Sequence, residues 1–150
     1  MQLTRAADYA VRVMVHLAAL PAGTRANREA LAEAAQVPSQ FMGKVLQSLT
    51  RAQLILSYRG AQGGFELARP SARINMLEVI EAIEGPICLN VCLAGDEACG
   101  RRWWCGAHDV WRDAQASLVA VLRNAPLDRL AAESLRRKAE NHMPVVAGGA

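Results

Sequence analysis

Apolar residues recur at helical spacing along residues 3–20, where Ala7, Ala10, Val11, Met14, Val15 and Ala18 fall on one face. Pro21, Ala22 and Gly23 then stop the pattern. Asn27 is placed to cap a short second helix to residue 35, with Leu31 and Ala34 inward. Gln36-Val37-Pro38 reads as a turn anchored in the core by Val37. Ser39 is expected to cap a third helix to residue 51, in which Phe41, Met42, Val45, Leu46 and Leu49 form the inward stripe. Two short strands over 54–59 and 65–67 flank the glycine-rich tip Gly60-Ala-Gln-Gly63-Gly64. Asn75 stands three residues before Glu78, the spacing of a capping box, and opens a helix that Gly85 and Pro86 end.

Helix, turn, helix and a glycine-tipped strand pair, in that order, are the layout of a winged helix-turn-helix. Beyond it, His108 is expected to begin a long amphipathic helix to about residue 124, with Trp111, Ala114, Leu118, Val121 and Leu122 on one face. A last helix is expected over 127–137, and residues 144–150 show no period. The predicted fold class is mainly α with a small two-stranded β-wing. The predicted organisation is a winged helix-turn-helix over 1–85, a cysteine-rich loop over 86–107, two helices over 108–138 and a disordered tail over 139–150.

The polar half of the third helix changes the picture. Gln40, Gly43, Lys44, Gln47, Ser48 and Arg51 fall opposite its apolar stripe. Amides, hydroxyls and cations on one face are the groups that bond base edges and phosphates in a major groove. Taken singly, Gln40, Lys44 and Gln47 read as ordinary solvated side chains; taken together they read as a DNA-contacting surface. Ser39 at the helix start adds free backbone donors for a phosphate. Arg28 belongs to the same candidate surface. Tyr58 and Arg59 stand at the wing base, placed to touch DNA backbone and to enter a minor groove respectively. The net charge of +3 agrees with an anionic partner without requiring one.

All four cysteines lie within 88–105. Six residues separate Cys92 from Cys99, five separate Cys99 from Cys105, and two separate Cys105 from His108. Structural zinc usually takes close cysteine pairs, whereas long, irregular spacing suits a loop wrapped around a larger thiolate-bound group such as an iron–sulfur cluster. Zinc, a thiol switch without iron and inert thiols remain open on spacing alone. Trp103 and Trp104 are placed either to shield such a site from water or to join the core. A chain of 150 residues buries enough core to fold without disulfides. No export signal and no apolar run of about 20 residues stands out, so the expected compartment is the cytoplasm, where thiols stay reduced. A small thiol oxidoreductase would need a Cys-x-x-Cys motif and a βαβ pattern, both missing from this sequence.

Three separated motifs agree with one family. Met1-Gln-Leu-Thr4 with Asp8-Tyr-Ala-Val-Arg12, Arg59-Gly60 with Gly63-Gly64-Phe65, and Cys92…Cys99…Cys105 resemble the IscR/NsrR-type iron–sulfur-responsive transcriptional regulators, up to about Ser134. The resemblance implies a winged-helix homodimer that reads pseudo-palindromic promoter sites in double-stranded DNA and holds one cluster per subunit. It also implies a long helix that crosses to its partner through Trp111, Leu118, Val121 and Leu122, although a helix packed within one subunit would show the same stripe. Members that sense cluster supply use three cysteines and a histidine like His108 around a 2Fe–2S cluster. Nitric-oxide-sensing members hold a 4Fe–4S cluster, in some cases with an aspartate like Asp8 from the other subunit. Both candidates occur here, with His108 and 2Fe–2S slightly favoured. The first cysteine gap is one residue longer than in the histidine type. Cys88 has no counterpart role, and Gly43 stands where some members carry an acidic base-reading residue.

Overall fold

A computed structural model describes residues 2–95 and 97–142. Its elements are α1 (Arg5–Ala19), α2 (Arg28–Ala34), α3 (Ser39–Arg51), β1 (Ile55–Tyr58), β2 (Gly64–Leu67), α4 (Met76–Glu84), α5 (Gly106–Arg123) and α6 (Leu127–His142), with single 3-10 turns at Ser71–Arg73 and Val91–Leu93. The architecture is that of a winged helix-turn-helix continued by two helices.

α1 is the central strut. Thr4 caps it by accepting from the Ala7 backbone N–H, and Ala7, Ala10, Val13, Met14 and Leu17 are buried along one stripe. That stripe packs against α3, α4 and α6. α3 contributes Met42, Val45, Leu46 and Leu49 to the same core, with Phe41 packed at its edge against the tilted ring of Tyr9. Asn27 caps α2, and Asn75 and Glu78 form the reciprocal capping box of α4. Val37 is buried as expected.

Ser39 is not a cap. Pro38 holds the cap position with extended backbone, its carbonyl accepts from the Phe41 N–H, and Ser39 is already helical. Burying Val37 makes Pro38 the last extended residue, and proline has no N–H to leave unpaired at a helix start.

The wing is one antiparallel pair in which Ile55 faces Leu67 and Tyr58 faces Gly64. The turn end of β2 is stitched to the segment before α2 by reciprocal backbone bonds between Ala26 and Phe65. Gly64 adopts φ +137°, and a Cβ there would come within 2.8 Å of the Ala26 carbonyl oxygen, so only glycine lets these chains meet.

α4 ends at Gly85, with φ +79°, and releases the chain into the cysteine loop. α5 starts at Gly106, two residues earlier than expected, so His108 lies inside its first turn. Among the described residues, none of α5 is buried. It leans on α4 and on the 3-10 turn Val91–Leu93, and the Leu89 N–H donates to Gln115 Oε1 at 2.9 Å. Val110, Trp111 and Val121 are exposed, while Leu118 and Leu122 are half-buried. Within one chain the predicted stripe is therefore not core. α6 turns back onto α1 and buries Leu127 and Ala131, its start pinned by Leu127 N–H to Ile74 carbonyl and Met76 N–H to Ala125 carbonyl bonds. It runs to His142, so residues 139–142, read from sequence as disordered tail, are helical. Residues 143–150 lie outside the described residues.

Candidate DNA-reading surface and cysteine loop

The outward face of α3 presents Gln40, Lys44, Gln47 and Arg51 to solvent, with Ser39 exposed at its start. Arg28, the first residue of α2, sends Nη2 to the Ser39 carbonyl at 2.9 Å and so lies across the beginning of α3. A cleft between α3 and the wing is rimmed by Arg28, Gln47, Arg51 and Ser57. Arg59 is exposed just beyond β1. The fold thus brings Arg28, Gln47 and Arg51 to one cleft beside the wing, while Lys44 lines a separate cleft with Thr4 and Glu84.

Tyr58 sits differently from the others. Its hydroxyl donates to Glu66 Oε1 at 2.6 Å, and the Arg25 guanidinium lies 3.6 Å from its ring centroid. The carboxylate that accepts from the phenol pushes its pKa up. Arg25 also reaches Glu66 at 3.6 Å and the Gln62 carbonyl at 3.4 Å, bracing the wing against the chain before α2. Sequence reading missed Arg25, because nothing near it in the chain marks the stack that folding creates with Tyr58.

Cys92, Cys99 and Cys105 are half-buried, Cys88 is exposed, and all four are free thiols. Cys92 lies in the Val91–Leu93 turn, and Cys105 occupies the cap position of α5. Bonds from the Cys105 and Trp104 N–H groups to the Arg101 carbonyl tighten the turn before the helix. The His108 N–H then donates to the Cys105 carbonyl at 3.0 Å. His108 Nδ1 is buried and has no hydrogen-bond partner among the described residues, a state that normally needs a physical reason. Trp103 and Trp104 are 82% and 59% exposed, packed edge to face, so in the single chain neither is core. Asp8 is exposed on α1 and pairs with Arg12 at 2.7 Å. Among the described residues, no three His, Cys, Asp or Glu side chains are gathered closely enough to hold a metal ion. Residues 3–133 match the Rrf2 sequence family, described as iron-dependent transcriptional regulators.

The chain belongs to the Rrf2 family. It is accordingly a transcriptional regulator and not an enzyme. An HTH-type transcriptional regulator of Mycobacterium tuberculosis is 36% identical over 139 residues, covering 90% of this chain and 84% of the relative. The HTH-type transcriptional regulator NsrR of Oceanobacillus iheyensis is 30% identical over 131 residues, covering 87% and 89%. Among solved structures, CymR, the global cysteine regulator of B. subtilis, superposes with a TM-score of 0.72 over 89% of this chain and 98% of its own, at 22% identity. That likeness confirms the fold. No described helix is long and apolar enough to cross a membrane.

Proposed function

We propose that this Rrf2 regulator is a cytoplasmic homodimer that binds pseudo-palindromic promoter DNA under the control of an iron–sulfur cluster held by Cys92, Cys99, Cys105 and His108. The observation that carries the reading is the buried, unpartnered Nδ1 of His108, one helical turn from Cys105. One imidazole nitrogen and three free thiols within residues 92–108 are a donor set suited to iron, which the loop would have to draw together on binding it. When bound, the cluster supplies a cross-link between loop and helix that oxidation, nitric oxide or cluster shortage breaks.

The chain's own contacts give such a cross-link a route to DNA. The loop leaves α4 at Gly85, and Glu84 just before it accepts from the Thr4 N–H at 2.9 Å and from Thr4 Oγ1 at 2.5 Å. Thr4 caps α1, and Lys44 of α3 lines the same cleft as Thr4 and Glu84. The end of α4, from which the cysteine loop departs, is thereby joined to the start of α1 and lies beside Lys44 of α3. The uncovered apolar side chains of α5 support a second copy as their cover, through Trp111, Leu118, Val121 and Leu122.

His108 as fourth ligand goes with a 2Fe–2S cluster; the alternative is Asp8 of the partner subunit around a 4Fe–4S cluster. The exposure of Asp8 leaves it reachable, but its carboxylate already has Arg12. Anaerobic visible and Mössbauer spectra decide. The protein should purify brown, each of Cys92→Ala, Cys99→Ala and Cys105→Ala should abolish the chromophore, and Cys88→Ala should keep it. His108→Ala should alter the iron site and Asp8→Ala should not. The reverse pattern would move the fourth ligand to Asp8. A colourless protein holding zinc or no metal would replace the cluster with a zinc site or a thiol switch.

A further inference from the structure

Gly43 is an exposed residue in the interior of α3, where glycine is the poorest helix former after proline. The space it leaves is used. A Cβ at this position would meet the Arg28 guanidinium at 3.6 Å, nearer than any other group. A methyl would make ordinary contact there, but a longer side chain would compete with the guanidinium for the site. The same guanidinium bonds the Ser39 carbonyl one turn earlier, using one of several N–H donors. Arg28 is therefore bound by its tip to the reading helix although it belongs to α2.

We propose that Arg28 is a specificity-determining residue that reads a guanine in each half-site. The proposal rests on α3 being the helix that enters the major groove, and deepens that reading. Side chains at the N-terminal end of such a helix meet base edges, and that is the end where Arg28 is held. A planar fork matches the O6 and N7 acceptors of guanine two at a time, which an ammonium cannot do. Anchoring at Ser39 orders the side chain before DNA arrives, so less freedom is lost on contact. Arg51 differs: it is exposed at the far end of α3, where a phosphate is the expected partner.

The test is selection from a randomised duplex pool by the full-length, anaerobically purified protein, followed by binding titrations over a range of salt. The wild-type site should contain one guanine per half-site whose preference falls by about 5–150-fold in Arg28→Ala and in Arg28→Lys, with other positions unchanged. Arg28→Lys should keep the wild-type salt dependence, because its charge is retained. Gly43→Glu should lose the same guanine, its carboxylate capturing the guanidinium. An Arg28→Lys protein that selects the wild-type sequence would overturn the role and make Arg28 a phosphate contact. So would a guanine preference that survives in Gly43→Glu. Wild-type protein that enriches no sequence would instead overturn α3 as the reading helix.

Discussion

His16 shows how one side chain converts position into a measurable property. It sits half-buried in a groove between α1 and α6 that Arg12 and Lys138 also line. Burial, and then the nearby Lys138 charge, lower its pKa below the ordinary value of 6.5. The unfolded chain therefore binds a proton more readily than the folded one, so this residue's contribution to stability is whole above about pH 6.5 and is lost as pH falls toward the lowered folded value. Urea unfolding of wild type and His16→Gln at about pH 7.5 and about pH 5.5 checks this, since wild type should lose more stability on acidification than the variant. Equal losses would mean that His16 titrates alike in both states. At this scale, legibility followed distance along the chain. The caps of Asn27 and of Asn75 with Glu78 were readable because every partner lies within three residues. Ser39 misled because burial of Val37, a tertiary demand, sets where α3 begins. The Arg25, Tyr58 and Glu66 cluster was invisible because its members meet only when the wing folds back on the chain before α2.

Among the elements, α5 separates what a periodic pattern reveals from what it leaves open. Its stripe was readable from spacing, as were the stripes of α1 and α3, but spacing cannot say whether a stripe meets its own chain or another. In α1 and α3 the stripe is core; in α5 Trp111 and Val121 remain 41% and 69% exposed. Leu118→Glu should therefore split the proposed dimer, because a carboxylate left unpaired in such an interface costs about 3–5 kcal/mol. Sedimentation at micromolar concentration should give a monomer with native helical content, and DNA binding should fall to that of a single half-site. A Leu118→Glu protein that still sediments as a dimer would place the partner surface elsewhere. In the cysteine loop the sequence displays the spacing of the thiols and their place between α4 and α5. The loop's conformation was not legible, because turns of this kind are set by a few backbone bonds, such as those onto the Arg101 carbonyl, rather than by a repeating pattern.

For the molecule as a whole, the proposed control needs a route from residues 92–108 to α3. The Thr4–Glu84 contact spans 80 positions of sequence and joins the cap of α1 to the last turn of α4, beside Lys44. Glu84→Ala removes the acceptor while leaving every proposed cluster ligand in place. Its visible spectrum should match wild type, while the difference in DNA affinity between cluster-loaded and cluster-stripped protein should shrink. A Glu84→Ala protein with the full wild-type difference would show that the signal travels by another route. The most direct measurement of the central claim is the affinity of one duplex, selected by the cluster-loaded wild-type dimer, for that protein before and after anaerobic removal of its iron. Fluorescence anisotropy should show the two states differing by about 5–150-fold, the range that a coupling of about 1–3 kcal/mol produces. Equal affinities, with the loaded state spectroscopically intact at the start of the titration, would contradict control of DNA binding by the cysteine loop.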